Sequence, residues 1–382
     1  MPVGPSLADL SPLKQKQPRL QFPVLPNLLD DLVQAVTHPV GNIAYALAVC
    51  SGYAYSDADT VSMIMARMGL FDNHCAEVQL GDDAMFIDST AFLVQSEDGR
   101  AVILCYRGTS PLNFIDWLLD ADIDPEKISL LLTPDGMAKP EYWVHGGFYR
   151  NIRATRNKVV QALERALRGE SVIEGGGPMA HPLETLYITG HSLGGAMAAL
   201  MAIILQVEPA YEDIRHKLRA VYTYGQPMVG PPAIAEFCRR PGFPPLIRYV
   251  YRRDVVPHAP PRDSGLFQHF GAEYQIQCGT WTPPSPPIGQ ANLAEFAVLA
   301  PYDFVVQMIA ALRGLATVWN GVARAVNNLP LVRLASHVTE GLPFGDAFVR
   351  LPFVYSFGDH SPNHYISRLA PPGVLSEFGD VR

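Results

Sequence analysis

Ser192 stands at the tip of Gly190-His191-Ser192-Leu193-Gly194, between an apolar β-type run over 186–189 and a small-residue helical run over 195–206. A serine with glycine two places before and two places after can occupy a sharp strand-to-helix turn, because side chains at those positions would collide with neighbouring backbone. Such a turn lifts the hydroxyl clear of a sheet. It also sets the hydroxyl at a helix N-terminus, whose free N–H groups and dipole favour developing negative charge. The chemistry implied is attack by an activated hydroxyl. Residues 186–207 carry no formal charge, so hydropathy alone would read them as a membrane span; the interior Gly-His-Ser-Leu-Gly-Gly argues against that.

A serine hydroxyl is a weak nucleophile at neutral pH and needs an imidazole to take its proton and a carboxylate to hold the imidazole's tautomer. With an elbow of this kind the three groups follow in the order Ser, Asp, His. The outstanding acid downstream is Asp254, just past the strand-like run 246–251, with Asp263 the weaker alternative. Its plain competitor is an exposed acid paired with Arg252 or Arg253. For the base the chain offers His337, His360 and His364 downstream. His360 is preferred, because a loop leading into a helix at about Pro362 would hold it at the sheet's rim. His364, one turn into that helix, is expected to support it. The pair could mimic an i, i+4 metal site, but no third ligand is apparent, and neither a metal nor a cofactor is expected. An oxyanion hole needs two backbone N–H groups: Leu193 supplies one, and Thr109, in the loop after the strand-like 101–106, supplies the other. His145-Gly146-Gly147 is a second candidate for that loop, against a structural turn into the following helix.

The elements that must position these groups alternate. Strands are expected over 90–95, 101–106, 186–189, 220–224 and 246–251, and helices over 40–69, 148–167 and 195–206. Alternation predicts an α/β chain with a mostly parallel central sheet, helices on both faces, and its ligand site at the carboxyl ends of the strands. Residues 1–39 are proline-rich and read as a surface arm. A catalytic domain is expected over 40–280 and 345–382, interrupted by an apolar insertion over 281–344 that opens with Trp-Thr-Pro-Pro-Ser-Pro-Pro. Within the insertion Asp303 can cap a helix running to Asn327 or Asn328, with Arg313, Thr317, Asn320, Arg324 and Asn327 as one narrow polar stripe. The remaining apolar surface fits either a core helix or a lid over an acyl groove.

The 382 residues, 48% of them hydrophobic, can fill a large α/β core. A net charge of −8, with no Lys/Arg run longer than two, disfavours nucleic-acid binding. Five scattered cysteines without a C-x-x-C pair indicate neither a disulfide framework nor a zinc site, and leave room for one bridge. The first 20 residues show no apolar signal region, which predicts a cytoplasmic protein, peripheral at membranes, or else a mature secreted form.

Taken in order, the motifs resemble the signature of the class 3 lipases, the fungal-lipase-like branch of the α/β-hydrolases. They are Tyr-Arg-Gly-Thr at 106–109, Asn-Phe-Ile-Asp-Trp at 113–117, Val-His-Gly-Gly-Phe at 144–148 and Gly-His-Ser-Leu-Gly-Gly at 190–195. Tyr-Thr-Tyr-Gly-Gln-Pro-Met-Val-Gly at 222–230, Arg-Asp-Val-Val-Pro-His-Ala-Pro-Pro at 253–261 and Asp-His-Ser-Pro-Asn-His-Tyr at 359–365 complete the set. The resemblance covers about 40–275 and 355–370. It implies Ser192, Asp254 and His360 as the triad, Thr109 and Leu193 as oxyanion donors, and hydrolysis of acylglycerol or related lipid esters without a cofactor, with transient contact at a lipid interface and no obligate protein partner. Phospholipase A1 or short-chain carboxylesterase activity is the nearest alternative, and a silent lipid-binding module the alternative from another class. The chain departs from the family in the spacing of 106 positions from Asp254 to His360, longer than usual. The family's lid follows the Arg-Gly-Thr loop, near 113–124 here, and the inserted helix is a second candidate cover.

Overall fold

Three consecutive apolar strands, β3 (Ala101–Tyr106), β6 (Thr185–His191) and β7 (Leu218–Tyr224), read as near-continuous hydrophobic runs because both of their faces are covered, and they pair in parallel. The computed structural model describes residues 23–34, 41–82, 87–108, 125–128, 142–260, 262, 265–277, 280–283, 288–290, 358–372 and 374. Its main sheet has the order β1-β2-β3-β6-β7-β8-β9-β10. Here β1 is His74–Asp82, β2 Ile87–Gln95, β8 Leu246–Val250, β9 Ala272–Gln277 and β10 Thr280–Thr282. The four pairings from β3 to β9 are parallel, and the flanking ones are antiparallel. A separate ribbon joins β4 (Pro125–Ile128) to β5 (Tyr142–His145). This is the α/β-hydrolase architecture expected of the sequence.

Side chains alternate across each central strand and divide the core. On β3, Val102, Leu104 and Tyr106 join the cluster under helices α4 (Gly146–Leu167) and α5 (Leu193–Val207). Ala101, Ile103 and Cys105 join the other cluster, under α1 (Leu28–Gln34), α2 (Gly41–Tyr53), α3 (Ala58–Met68) and α6 (Pro362–Leu369). Each fully buried Leu or Ile in these layers contributes about 1.5–3 kcal/mol of transfer free energy. Helix α5 is buried from Leu193 to Leu205. A β-carbon on Gly195 would stand 3.1 Å from both Gln226 Cβ and Gly190 O, so its absence lets this helix lie tight on the sheet. The uncharged stretch 186–207 is therefore a core strand followed by a core helix. Among the described residues no single helix is long and apolar enough to cross a membrane.

The structure departs from the sequence expectations in four places. The helical pattern over 40–69 is two helices, because the Asp57 carboxylate caps a new one by accepting from Thr60 N at 2.7 Å, and the break leaves Tyr55 in the connection. The N-terminal arm includes α1, whose Leu28 and Leu32 are buried. Strand β1 has the mixed polar sequence of a sheet edge, without the apolar run that marks the central strands. Trp281 and Thr282, the first residues of the expected insertion, pair with β9. Residues 291–357, including the striped helix and His337, lie outside the described residues, as do Thr109, residues 113–124 and Asp263.

Candidate active site

Ser192 sits between the last residue of β6 and the first of α5 with φ 60° and ψ −131°. A non-glycine residue at positive φ costs about 1–2 kcal/mol, held here by the surrounding fold. Its N–H donates to Tyr224 O at 2.9 Å, tying the elbow to the end of β7. A β-carbon on Gly190 would collide with the Gly194 carbonyl group, and one on Gly194 with Tyr106 O, so both glycines are sterically required. Ser192 is 1% exposed, and its Oγ has no hydrogen-bond partner among the described residues.

Asp254 follows β8 and is 0% exposed, which removes the reading of a surface acid paired with arginine. Its Oδ1 accepts from Val256 N at 2.9 Å. Its Oδ2 accepts from His360 Nδ1 at 2.8 Å and from Tyr365 Oη at 2.5 Å. Because a carboxylate only accepts, the Nδ1 proton is committed and Nε2 carries the lone pair, the tautomer a general base needs. The His360 ring stacks on that of His191, the residue before Ser192, with centroids 4.5 Å apart. The structure thus brings Ser192, Asp254 and His360 to one place at the carboxyl ends of β6, β7 and β8. Gly225, with φ +59°, closes over the pair: a β-carbon there would meet Asp254 Oδ2 at 2.7 Å and His360 Cε1 and Nδ1 at 2.8 Å.

Around this core lie groups the sequence reading did not find. His191 Nε2 lies 2.7 Å from His360 O and its Nδ1 2.9 Å from Tyr55 Oη. Tyr365 Oη, besides reaching Asp254, accepts from Tyr251 N at 3.1 Å, and burial together with the Asp254 charge pushes its pKa up. Asp359 Oδ2 accepts from Arg253 N at 3.2 Å, which ties the residue before His360 to the residue before Asp254; burial raises its carboxyl pKa. Behind the acid loop the buried pair Arg248–Glu273 (2.7 Å) locks β8 to β9, and His269 Nε2 donates to Pro257 O at 2.7 Å. His191, Asp359 and Tyr365 stand inside the quoted motifs, but the partners of all these groups are distant in the sequence, so their roles appear only in the folded chain.

Two expectations change. His364 is not the supporting group: it is exposed and stacks on Tyr251 at 4.9 Å, while its neighbour Tyr365 faces inward. Helix periodicity explains the swap, because Tyr365, Ile366 and Leu369 form the buried face of α6. His145-Gly146-Gly147 is the turn from β5 into α4, with His145 N donating to Val229 O at 3.0 Å. The His145 ring packs on Phe148 at 4.4 Å, and burial, with Arg150 nearby, lowers its pKa to about 3.

For an oxyanion, Leu193 offers its N–H as the first residue of α5, where no intrahelical partner exists. The described chain on the other side runs to Gly108, against which Ser192 Cβ packs: a β-carbon on Gly108 would be 3.2 Å away. No trio of His, Cys, Asp or Glu side chains among the described residues could hold a metal ion. Cys50, Cys75, Cys105 and Cys238 are free thiols. The site can therefore perform nucleophilic acyl transfer with an imidazole base.

Comparison with known proteins bears on this geometry. The family model described as lipase (class 3) matches residues 103–264. A lipase of Rhizopus niveus is 31% identical over 203 residues, 52% of this chain and 44% of that protein. A lipase of Rhizomucor miehei is 30% identical over 192 residues, 50% of this chain and 46% of that protein. A triacylglycerol lipase OBL1 of Ricinus communis is 27% identical over 223 residues, 50% of this chain and 40% of that one. The chain thus spans less than half the length of these relatives. The solved structure of lipase II from Rhizopus niveus superposes over 63% of this chain and 80% of that one, with 25% identity and a TM-score of 0.46. In its ordered motifs, its elbow and the match over residues 103–264, this chain is similar to the class 3 lipases.

Proposed function

We propose that the protein is a serine ester hydrolase of lipase type that cleaves carboxylic esters of acylglycerols. His360 Nε2 takes the Ser192 proton as Oγ attacks the ester carbonyl, and Asp254 holds the imidazolium that forms. The N–H groups of Leu193 and Thr109 receive the oxyanion; losing one such donor typically costs about 3 kcal/mol of transition-state stabilisation. The imidazolium then returns its proton to the leaving alcohol. Water, deprotonated by the same imidazole, releases the fatty acid from the acyl-enzyme. The protein meets its substrate at a lipid interface and needs no protein partner.

The observation that carries this reading is the 2.8 Å hydrogen bond from His360 Nδ1 to the buried Asp254, formed beside an elbow whose serine is held at positive φ. The test is turnover of p-nitrophenyl butyrate and of emulsified triacylglycerol, together with labelling by a fluorophosphonate. Ser192→Ala should abolish turnover and labelling while leaving the circular dichroism spectrum unchanged. Retained turnover would refute the assignment. A rate on phospholipid exceeding that on triacylglycerol would redirect the substrate class without touching the mechanism.

A further inference from the structure

We propose that Tyr55 and His191 form a positioning relay that clamps the backbone of His360 to the elbow, so that the imidazole is held beside the elbow before any substrate arrives. This inference rests on the reading of Ser192 and His360 as nucleophile and base.

The hydrogen-bond directions follow from the chemistry of the groups. His360 O can only accept, so His191 Nε2, 2.7 Å away, must carry the proton. Burial and the neighbouring His360 push the His191 pKa well below its ordinary value, so the ring is neutral and Nδ1 is a bare acceptor. Tyr55 Oη, at 2.9 Å, therefore donates to it. Although Tyr55 is 38% exposed overall, its hydroxyl end is desolvated, which raises its pKa and keeps it a donor. One directed chain thus runs from Tyr55 through His191 to His360 O.

Its position gives it a catalytic consequence. His360 is gripped at both ends, its ring nitrogen by Asp254 and its carbonyl by His191, which fixes the direction in which Nε2 points. The two imidazoles stack at 4.5 Å with 32° between their planes. A neighbour that stays neutral adds no charge repulsion when His360 takes the serine's proton. Tyr55 comes from the α2–α3 connection, and its hydroxyl lies where the chain after β3 passes the elbow: a β-carbon on Gly108 would collide with Tyr55 Oη and approach His191 O to 2.6 Å. The relay therefore joins three segments at the reacting centre. If the bonds merely satisfied buried polar atoms, their loss would lower stability alone.

The test uses the full chain, with kcat and KM on a soluble short-chain ester, the second-order rate of inactivation by a fluorophosphonate, and the thermal midpoint. Tyr55→Phe should lower kcat and the inactivation rate about three- to tenfold, and His191→Leu about 10- to 100-fold, with KM within about twofold. The Tyr55→Phe/His191→Leu double variant should be no slower than His191→Leu alone, because both act through one chain. His191→Gln keeps a donor and an acceptor at similar reach, and should recover most of the loss. Wild-type kcat in Tyr55→Phe, multiplicative losses in the double variant, or losses that follow only the thermal midpoint would overturn the relay. If His191→Leu does not fold, Tyr55→Phe decides by the same readouts. An inert Ser192→Ala beside a fully active His191→Leu would sink the relay only, whereas an active Ser192→Ala would sink the nucleophile assignment.

Discussion

Gly225→Ala probes the site without removing any polar group. At φ +59° an alanine carries left-handed strain of about 1–2 kcal/mol. Its β-carbon would arrive 2.7 Å from Asp254 Oδ2 and 2.8 Å from two ring atoms of His360, where ordinary contact begins at 3.4 Å. The pair must yield by about 0.7 Å. Neither partner has slack, because Asp254 is held by Val256 N and Tyr365 Oη, and His360 by His191. Overpacking of this kind adds about 1–3 kcal/mol, so total destabilisation should be about 2–5 kcal/mol. Because a misplacement near 1 Å can cost a hundredfold, kcat should fall about 10- to 100-fold while KM stays nearly unchanged. Gly175→Ala is the control: φ +76° with nothing within 4 Å, so it carries the backbone strain and not the wedge, and kcat should be untouched. Steady-state kinetics and urea unfolding of both variants suffice. Full activity in Gly225→Ala would refute the claim that the acid–imidazole pair is rigidly seated.

Three further outcomes follow from the same structure. Asp254→Asn should cut kcat about 10³- to 10⁴-fold, since the amide stabilises the wrong His360 tautomer and cannot support the imidazolium; a loss under tenfold would reassign the acid. Glu273→Gln strands the buried Arg248 charge, whose pKa burial already lowers and whose Nη1 lacks a partner among the described residues. It should cost about 3–5 kcal/mol in urea unfolding, and the paired replacement Arg248→Met/Glu273→Leu markedly less; equal losses would contradict a desolvated pair. Stability should also decline on acidification because of His145. Above about pH 6.5 the ring is neutral folded and unfolded. Below that, only the unfolded chain binds the proton, down to the folded pKa of about 3. Across that window each such histidine contributes a slope of about 1.4 kcal/mol per pH unit, and His145→Gln should flatten the measured curve by that amount.

What the sequence displayed was whatever depends on near neighbours along the chain. The elbow is five residues, and both of its glycines are required by contacts within the strand-to-helix turn or with the adjoining strand end. Asp254 follows a recognisable strand, and His360 precedes a helix that starts at Pro362, so both stood out by local context. The relay, Tyr365 and Gly225 did not, because their meaning arises only when distant segments meet. Tyr55 and His191 are 136 residues apart, and Tyr365 and Asp254 are 111 apart. His364 draws attention as a supporting group one turn into the helix, yet helix rotation alone decides which of two adjacent residues faces inward, and that residue is Tyr365. The split between α2 and α3 falls at Asp57, where a single aspartate cap starts a new helix inside a stretch that is helical on both sides.

Helix α6 bears on how freely this protein can vary. Tyr365, Ile366 and Leu369 anchor it in the core, with Ile366 filling the space that Gly52 leaves open. Trp281 Nε1 donates to Arg368 O at 3.0 Å, and its ring lies over Tyr365 at 6.2 Å. The point where the polypeptide departs after β10 and the point where it comes back before His360 are thereby stitched together. The seat of His360 is therefore set by these two fixed ends, and a one-residue slip in α6 would dismantle the centre.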